Sequence, residues 1–231
     1  MERRVLVTRP EPGASATAQR LAGQGFAPVV LPLTRIVPVE PAPLPQRVDV
    51  IVATSANAFR HPPPEFLRLL AAKPLYVVGE KTAEAANRAA EIVAPDAKTL
   101  TQRMIANLGP SSHVLYLAGR VRGAALKDAL EQAGHHVTEI EVYDAVPIAF
   151  APGEIGTKLA GEPFWSALVY SRRGGEILSR IVAQSPASFD STVFVCLSME
   201  AGVGLENHGL DLAFAATPDE AGMLSALGRI G

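Results

Sequence analysis

The sequence predicts an α/β protein of two doubly wound parallel-sheet domains that are joined by two crossing extended linkers. The first observation is an internal repeat: residues 113–148 repeat the order of the N-terminal stretch, which is apolar strand, glycine-bearing loop, amphipathic helix closed by a glycine, second strand and proline. The second observation is that the segments between these copies also repeat. The third is the proline-rich run at residues 32–45, which suits an extended connection better than a buried central strand.

Both repeats keep their parts in register. The corresponding pairs are Val5 with Val114, Gly25 with Gly134, Ser55 with Ser171 and Gly79 with Ser198. Self-similarity at nearly half the chain length indicates duplicated supersecondary units. One kind of unit supplies about two strands and the other about three, whereas a parallel layer typically needs about five strands to bury both faces. The units must therefore combine to make domains.

The extended segments predict how the units combine. We expect one discontinuous domain from residues 1–34 and 149–231, and an inserted domain from residues 40–140. Residues 35–39 and 141–148 then form linker strands that can pair as a short antiparallel ladder. This interleaved order predicts a cleft between two domains with a double hinge, a common geometry for ligand binding.

Composition agrees with two cores, since 48% of the 231 residues are hydrophobic and 19% are charged. The net charge of −2 argues against nucleic acid as a partner. The opening residues MERRVLVTRP contain only a short apolar run, so we expect no signal peptide, no membrane span and a cytoplasmic location. The single cysteine, Cys196, lies in an apolar run and is interpreted as a small buried hydrophobe.

Candidate binding residues follow the predicted strands. Arg9 comes directly after the first strand, where ligands of parallel sheets gather, although a surface salt bridge is an equally good interpretation. Thr54 and Ser55 follow the apolar run 49–53. Their hydroxyls are typical helix caps, and free backbone N–H groups at the same helix start can bind a carboxylate.

The same pattern recurs at later strand ends. The residues concerned are Lys81, Thr82, Ser171, Arg172 and Ser198. Each lies where an apolar strand leads into a polar helix start, so both domains offer hydroxyl-bearing helix N-termini to one cleft. The ligand that fits this arrangement is a small molecule with many negative oxygens.

Metal and nucleophile motifs are missing from the sequence. The five histidines are His61, His113, His135, His136 and His208, and the adjacent pair would point to opposite faces of a strand. The patterns GxGxxG, GxxxxGK[ST] and GxSxG do not occur. We therefore predict no cofactor and no metal. Tyr143 lies in the return linker and would reach the mouth of the cleft, where its hydroxyl is a weak acid, although linker tyrosines more often serve packing.

Several segments together resemble the uroporphyrinogen-III synthase family. They are VLVTRP at 5–10, PLTRI at 32–36, TSANA at 54–58, VGEKTAEAA at 78–86, LAGRVRG at 117–123, VYDAVP at 142–147 and TPDEAGMLSAL at 217–227. Each motif is weak by itself, and their order and spacing carry the resemblance over nearly the whole chain. The family's LxxRG loop has Ala118 where an arginine is often found, which leaves Arg120 and Arg122 as substitutes. The run 61–64 is also unusual, and its prolines should shorten or displace the following helix.

The resemblance implies a lyase of porphyrin and haem biosynthesis that closes hydroxymethylbilane into uroporphyrinogen III. The implied steps are loss of water, attack by the substituted carbon of ring D to give a spiro intermediate, and inversion of that ring. A weak acid would assist the departing hydroxyl, which is the role implied for Tyr143. The expected contacts to substrate are then Arg9, Thr54, Ser55, Lys81, Thr82, Arg120, Arg122, Ser171, Arg172 and Ser198. We expect a monomer.

Two other classes share the predicted architecture. A cytosolic two-domain protein that binds sugars or amino acids would have the same cleft, but binding proteins of the periplasmic type carry a signal peptide, and the related repressors carry an N-terminal DNA-binding helix pair. A glycosyltransferase of two doubly wound domains is a further alternative, for which 231 residues is short. The identity of the product formed from hydroxymethylbilane would distinguish the three.

Overall fold

A computed structural model describes residues 2–206 and 209–230. His208 lies outside the described residues. The chain divides into two compact units, one made of Met1–Arg35 and Val146–Gly231 and the other of Ile36–Ala145.

The elements alternate between strand and helix. In the first half they are β1 (Arg4–Val7), α1 (Gly13–Gly23), β2 (Ala27–Val30), β3 (Thr34–Pro38), β4 (Val50–Ala53), α2 (Asn57–Arg60), α3 (Pro64–Leu69), β5 (Leu75–Val78), α4 (Glu80–Ala86), β6 (Ile92–Ala94) and α5 (Ala97–Asn107). In the second half they are β7 (His113–Gly119), α6 (Ala125–Gln132), β8 (His136–Pro147), α7 (Glu154–Leu159), β9 (Ser166–Val169), α8 (Arg172–Gln184), a 3₁₀ helix (Pro186–Phe189), β10 (Val193–Cys196), α9 (Met199–Gly202), β11 (Asp211–Phe214) and α10 (Glu220–Gly228).

Each unit contains one sheet. The order is β11-β10-β9-β1-β2 in the five-stranded sheet and β3-β8-β7-β4-β5-β6 in the six-stranded sheet. All four strand pairs of the five-stranded sheet are parallel. In the six-stranded sheet the parallel pairs are β4 with β5, β4 with β7, β5 with β6 and β7 with β8. The parallel α/β class predicted from the sequence is therefore confirmed.

The proline-bearing strand β3 lies at the edge of its sheet, beside β8. The Val39 N–H donates to the Val142 carbonyl at 3.2 Å, and the Ile148 N–H donates to the Leu33 carbonyl at 3.0 Å. Partners that ascend along one strand while they descend along the other define an antiparallel ladder. An edge position suits Pro38, because proline has no N–H to give to a further strand.

The repeat of β1–α1–β2 as β7–α6–β8 is visible in the hydrogen-bond register. Arg4 pairs with Ala27 in one copy, and His113 pairs with His136 in the other. Gly25 and Gly134 follow the two helices with φ of 81° and 87°, a left-handed conformation that glycine adopts without a steric penalty.

The second repeat places β9–β11 in the order of β4–β6. Asp96 caps α5 and Asp219 caps α10, each accepting a hydrogen bond from the backbone N–H three residues later. Within each sheet the chain winds outward in both directions from two central strands, β1 and β9 in one unit and β4 and β7 in the other. Ligands of open parallel sheets bind beyond the carboxyl ends of the strands at such a reversal, which we call the switch point of the unit.

Both faces of each sheet are buried. Along β4, Ile51 and Ala53 belong to one apolar cluster while Val50 and Val52 belong to another on the opposite face. Two further clusters cover the faces of the sheet that contains β1. Since burial fixes the strands, the residues just beyond their carboxyl ends are presented from a rigid support.

The run from His61 to Pro64 interrupts the connection after β4. Helix α2 has only four residues, and Pro63 precedes the start of α3 at Pro64. This agrees with the expected shortening, because proline lacks an N–H and restricts the residue before it.

Candidate functional site

Thr54 and Tyr116 meet at the switch point of the unit that contains β4 and β7. Thr54 directly follows β4, and Tyr116 is a buried residue of β7 with 5% exposure. Their hydroxyl oxygens lie 2.9 Å apart and share a hydrogen bond. Burial raises the pKa of Tyr116, an effect that Thr54 partly offsets. Tyr116 therefore stays protonated at neutral pH. It was missed in the sequence because it lies inside an apolar run.

Tyr143 is brought to the same edge by an irregularity in β8. Ala118 pairs with Glu141, but the next residue, Gly119, pairs with Tyr143, so β8 carries one extra residue at this point. Such a bulge redirects the side chains that follow it. The Tyr143 ring lies against Gly119, where an added Cβ would come within 2.7 Å of the ring atom Cε2.

The His61 ring lies close to the ring of Tyr143, with centroids 6.4 Å apart. The pKa of His61 lies below its usual value, because burial and the charge of Arg60 both disfavour the imidazolium form. The side chain that faces Tyr143 is therefore uncharged at neutral pH.

The two arginines that follow β7 are bound to carboxylates of β8. Arg122 forms a two-pronged pair with Glu139, with distances of 2.7 and 3.1 Å, and donates to Glu141 at 3.2 Å. Its Nη1 also donates to the Gly119 carbonyl at 3.0 Å. The hydrogen bond from Arg122 lowers the pKa of Glu139, and the pKa of Arg122 is raised in return. Arg122 is therefore held in place by its own sheet.

Arg120 is more accessible than Arg122. Its Nε donates to Glu141 at 3.0 Å, and its Nη1 lies 3.6 Å from Asp144. The side chain is nonetheless 53% exposed, compared with 22% for Arg122. It can exchange its surface carboxylate for another anion at little cost, since exposed ion pairs contribute about 0–1 kcal/mol.

The remaining predicted residues of this unit differ in accessibility. The Ser55 hydroxyl accepts from the Asn57 N–H at 3.3 Å, but the N-cap of α2 is Ala56 and the helix has no side-chain cap. Lys81 is exposed in the first turn of α4, whereas Thr82 is buried at 4% exposure. The geometry thus presents Lys81 to solvent and leaves Thr82 inside the unit.

Arg9 occupies the switch point of the other unit, after β1. Its guanidinium lies over the Tyr170 ring at 4.7 Å and 3.7 Å from Glu220, and it donates to the Thr17 hydroxyl at 3.4 Å. Burial alone would raise the pKa of Glu220, but Thr17, Arg20 and Arg9 together lower it. Arg9 therefore ties α1 and α10 to the end of the sheet, which is the salt-bridge interpretation left open by the sequence.

Ser171 and Ser198 cap the helices that follow β9 and β10. Ser171 accepts from the Gly174 N–H at 3.2 Å, and Ser198 accepts from the Ala201 N–H at 3.3 Å. Arg172, at the start of α8, pairs with Glu176 and Glu200 and is 55% exposed. Arg172 is thus about as accessible as Arg120 in the other unit.

A cavity of about 380 Å³ lies away from these edges, under the short helices α3 and α4. Its lining is mainly apolar and includes Ile51, Phe59 and Leu117. Two arginines, Arg68 and Arg88, also line it, and Arg88 donates to the Ala71 and Lys73 carbonyls at 3.1 and 2.6 Å. We interpret this cavity as a packing gap left by the proline-interrupted helices, because its lining is mainly apolar.

Two negative observations complete the site. In residues 2–206 and 209–230 there is no cluster of three or more metal-ligating side chains. The described helices also include none that is long and apolar enough to cross a membrane.

The fold and these edges define a class: a doubly wound α/β protein with hydroxyls and cations at the switch point of each of two units. Within this class, a family model described as Uroporphyrinogen-III synthase HemD matches residues 15–225. The chain belongs to the uroporphyrinogen-III synthase family, an enzyme family of porphyrin and haem biosynthesis that acts on a small-molecule substrate. The resemblance seen in the sequence is confirmed.

Solved structures agree with this assignment. The chain is similar to uroporphyrinogen-III synthetase from Helicobacter pylori 26695, with 17% identity, 100% of both chains covered and a TM-score of 0.69. It is also similar to a mutant uroporphyrinogen III synthase from Thermus thermophilus, with 18% identity, 100% of this chain and 98% of that chain covered, and a TM-score of 0.56. At such identities the likeness establishes the fold. A search of curated proteins found no match.

Proposed function

We propose that the protein is a uroporphyrinogen-III synthase, a carbon–oxygen hydro-lyase that closes hydroxymethylbilane into uroporphyrinogen III. The observation that carries the proposal is the family match over residues 15–225. The site geometry supports it, because both sheets end in groups suited to a carboxylate-rich ligand.

The first chemical step is departure of the bilane hydroxyl. Tyr143 donates its phenolic proton to that hydroxyl, which leaves as water, and the pyrrole nitrogen stabilises the resulting azafulvene. Carbon–carbon bond formation at the substituted position of ring D then gives the spiro intermediate, and its rearrangement inverts the ring. The proton released when the macrocycle regains aromatic pyrroles restores the tyrosine. A half-buried phenol on a rigid strand is suited to this role.

The substrate carboxylates require cations that can leave their present partners. We assign this role to Lys81, Arg120 and Arg172, which are exposed. Arg9 and Arg122 are less exposed, at 28% and 22%, and are tied to carboxylates inside their own units. They shape the two edges, while the hydroxyls of Thr54, Ser55, Ser171 and Ser198 add hydrogen bonds.

Orientation accounts for most of the proposed catalysis. The bilane must be folded so that the substituted carbon of ring D is attacked before the free position. Holding reacting groups in place lowers barriers by roughly 7–11 kcal/mol in the best intramolecular cases. Groups spread along rigid strand ends provide this control without a cofactor.

The test is to identify the product. Freshly prepared hydroxymethylbilane is mixed with the protein, and the isomers are separated after oxidation to porphyrins. We expect type III to predominate, whereas heat-denatured protein should give the uninverted type I isomer. Type I alone with folded protein would refute the proposal.

A further inference from the structure

Tyr116 is buried among apolar residues, yet its hydroxyl reaches the edge of the sheet. The ring packs in the cluster that contains Val50 and Val52, and the residue is 5% exposed. A buried tyrosine hydroxyl usually requires a partner, and here the partner is the half-buried Thr54 at 2.9 Å. The core of this unit is therefore connected by one hydrogen bond to a residue of the proposed substrate site.

The direction of this hydrogen bond determines what Thr54 offers to a ligand. One hydroxyl must donate and the other accept. If Tyr116 donates, the Thr54 hydrogen is left to point toward the edge, where it can bind an anionic oxygen. Successive hydrogen bonds polarise one another, so a bound carboxylate and a Tyr116 donor reinforce the same direction.

The groups around Tyr116 keep its phenol protonated, so the hydroxyl is able to donate to Thr54. Glu139 and Tyr143 favour the protonated phenol, whereas Arg122 and Thr54 favour ionisation less strongly than burial opposes it. Glu139 and Arg122 are themselves paired, which limits their net field at the hydroxyl. Tyr116 thus stays protonated at neutral pH and keeps a hydrogen that it can donate.

We propose that Tyr116 is a positioning residue of the substrate site, which donates to Thr54 and so directs the Thr54 hydroxyl hydrogen toward a substrate carboxylate. The inference rests on the proposed function for the identity of the ligand. The hydrogen-bond geometry itself belongs to the fold.

Tyr76 provides a matched control for a purely structural tyrosine. Tyr76 and Tyr116 both pair with Val52, one on each side of β4, and Tyr76 is 6% exposed. Its hydroxyl donates to Glu91 at 3.3 Å instead of to a site residue. Tyr76→Phe should therefore affect folding in the same way as Tyr116→Phe, with no effect on the ligand.

The test is a double-mutant cycle with Tyr116→Phe, Thr54→Val and the double variant. The readouts are the affinity for the stable polycarboxylate uroporphyrin III, followed by fluorescence, and the kcat and KM for hydroxymethylbilane. We expect about fivefold weaker binding for Tyr116→Phe and about tenfold for Thr54→Val. The double variant should match Thr54→Val, because without Thr54 the tyrosine has nothing to direct. Tyr76→Phe should bind like the wild type.

Independent, multiplying effects in the double variant would overturn the inference, as would an unchanged affinity for Tyr116→Phe when Thr54→Val binds weakly. The cycle is read in binding, so it remains informative if the wild type forms no type III product. That result would refute the proposed function while the coupling still decides the role of Tyr116.

A second measurement does not depend on the stability of Tyr116→Phe. Replacing Tyr116 with 3,5-difluorotyrosine keeps the ring and lowers the phenol pKa. An ionised phenol can only accept, so the Thr54 hydrogen would turn inward and the affinity for uroporphyrin III should fall at alkaline pH. Glu139, Arg122 and Tyr143 are the groups near this hydroxyl, and they are common to both proteins. The same pH profile for wild type and the fluorinated protein would contradict the inference.

Discussion

Tyr143 packs against Gly119 of β7 so closely that any larger residue there would displace its ring. A Cβ added at Gly119 would lie 2.7 Å from Cε2 and 3.0 Å from the hydroxyl oxygen of Tyr143. The contact involves the side chain that we propose as the proton donor, so the size of residue 119 sets the position of the reactive group. Backbone and catalytic geometry are thus linked at a single residue.

Gly119→Ala should therefore displace the Tyr143 ring. We expect kcat to fall on the order of 10²-fold, since small misplacements of catalytic groups have effects of that size. Overpacking should also lower stability by about 1–3 kcal/mol. Gly123→Ala is the matched control, because no atom lies within 4 Å of its added Cβ. Steady-state kinetics and urea unfolding measure both effects, and wild-type kinetics in Gly119→Ala would contradict the assigned contact.

Removing the Tyr143 hydroxyl should affect the reaction and spare the fold. Tyr143→Phe keeps the ring that packs beside Val142 and Ile140, so the free energy of unfolding should change little. Loss of a general acid commonly lowers rates by about 10²–10⁴. Single-turnover kinetics with hydroxymethylbilane provide the measurement, and an unchanged rate in the folded variant would remove Tyr143 from the mechanism.

At the residue scale, the sequence indicated candidate side chains more readily than it indicated which residues they contact. Tyr143 could be selected because it is a weak acid in the extended return connection, which the sequence places at the mouth of the predicted cleft. Tyr116 could not, since a tyrosine inside an apolar strand resembles any core residue. The partners of Arg122 were visible only as alternating glutamates, Glu139 and Glu141, and their pairing depends on the register of β8 against β7.

At the scale of elements, the paired arginine loop fastens the end of β7 to β8. Arg122 and Glu139 are 22% and 16% exposed, and they form two charge-assisted hydrogen bonds. Lys127 from α6 lies 3.6 Å from the same carboxylate. One glutamate therefore joins the strand, the loop and the helix of this repeat.

The stabilisation from Arg122 should depend on pH in a defined direction. The folded pKa of Glu139 is lowered, so the pair contributes fully above the unfolded pKa, about 4.3, and is lost as pH falls through the folded value. Arg122→Met should lower the free energy of unfolding by about 1–2 kcal/mol at pH 7, with a smaller difference near pH ~3. Urea unfolding at both values measures this.

Arg47→Met gives the comparison for that experiment. Arg47 pairs with Asp49 at 2.9 Å but is 62% exposed, so its loss should change stability much less than the loss of Arg122. A pH-independent effect of Arg122→Met would show that the side chain acts through packing and not through its charge.

Most elements could be predicted because local signals agreed with the repeat. Gly25 and Gly134 end equivalent helices, and the proline at position 38 marks an edge strand. The extent of β8 could not be predicted, since its twelve residues combine the second strand of a repeat with the return connection. Periodicity alone does not show at which residue the strand of the repeat ends and the return connection begins.

At the scale of the whole molecule, the two sheets have the same spatial order once the edge strand β3 is set aside, but their strands follow different orders along the chain. The central pair is β9 and β1 in one unit and β4 and β7 in the other, and in each case one strand begins the two-strand segment and its neighbour begins the three-strand segment. The units are therefore related by circular permutation. One unit is continuous in sequence, whereas the other is assembled from both ends of the chain. Removing one end of the chain should therefore disrupt the discontinuous unit and spare the continuous one.

That difference predicts how each unit behaves when it is isolated. Residues 36–145 contain every strand from β4 to β7, most of β8 and both apolar clusters of their sheet, so they should fold alone. The other unit should fold only if Arg35 is joined to Val146. A short glycine–serine linker can close this gap, since Leu33 and Ile148 are hydrogen-bonded neighbours at 3.0 Å.

Both isolated units should unfold cooperatively in urea, with m-values reduced in proportion to size. Residues 146–231 without β1 should not fold, because β9 then loses the neighbour that covers its inner edge. Cooperative unfolding of residues 146–231 alone, or a non-cooperative transition for residues 36–145, would contradict the interleaved assignment.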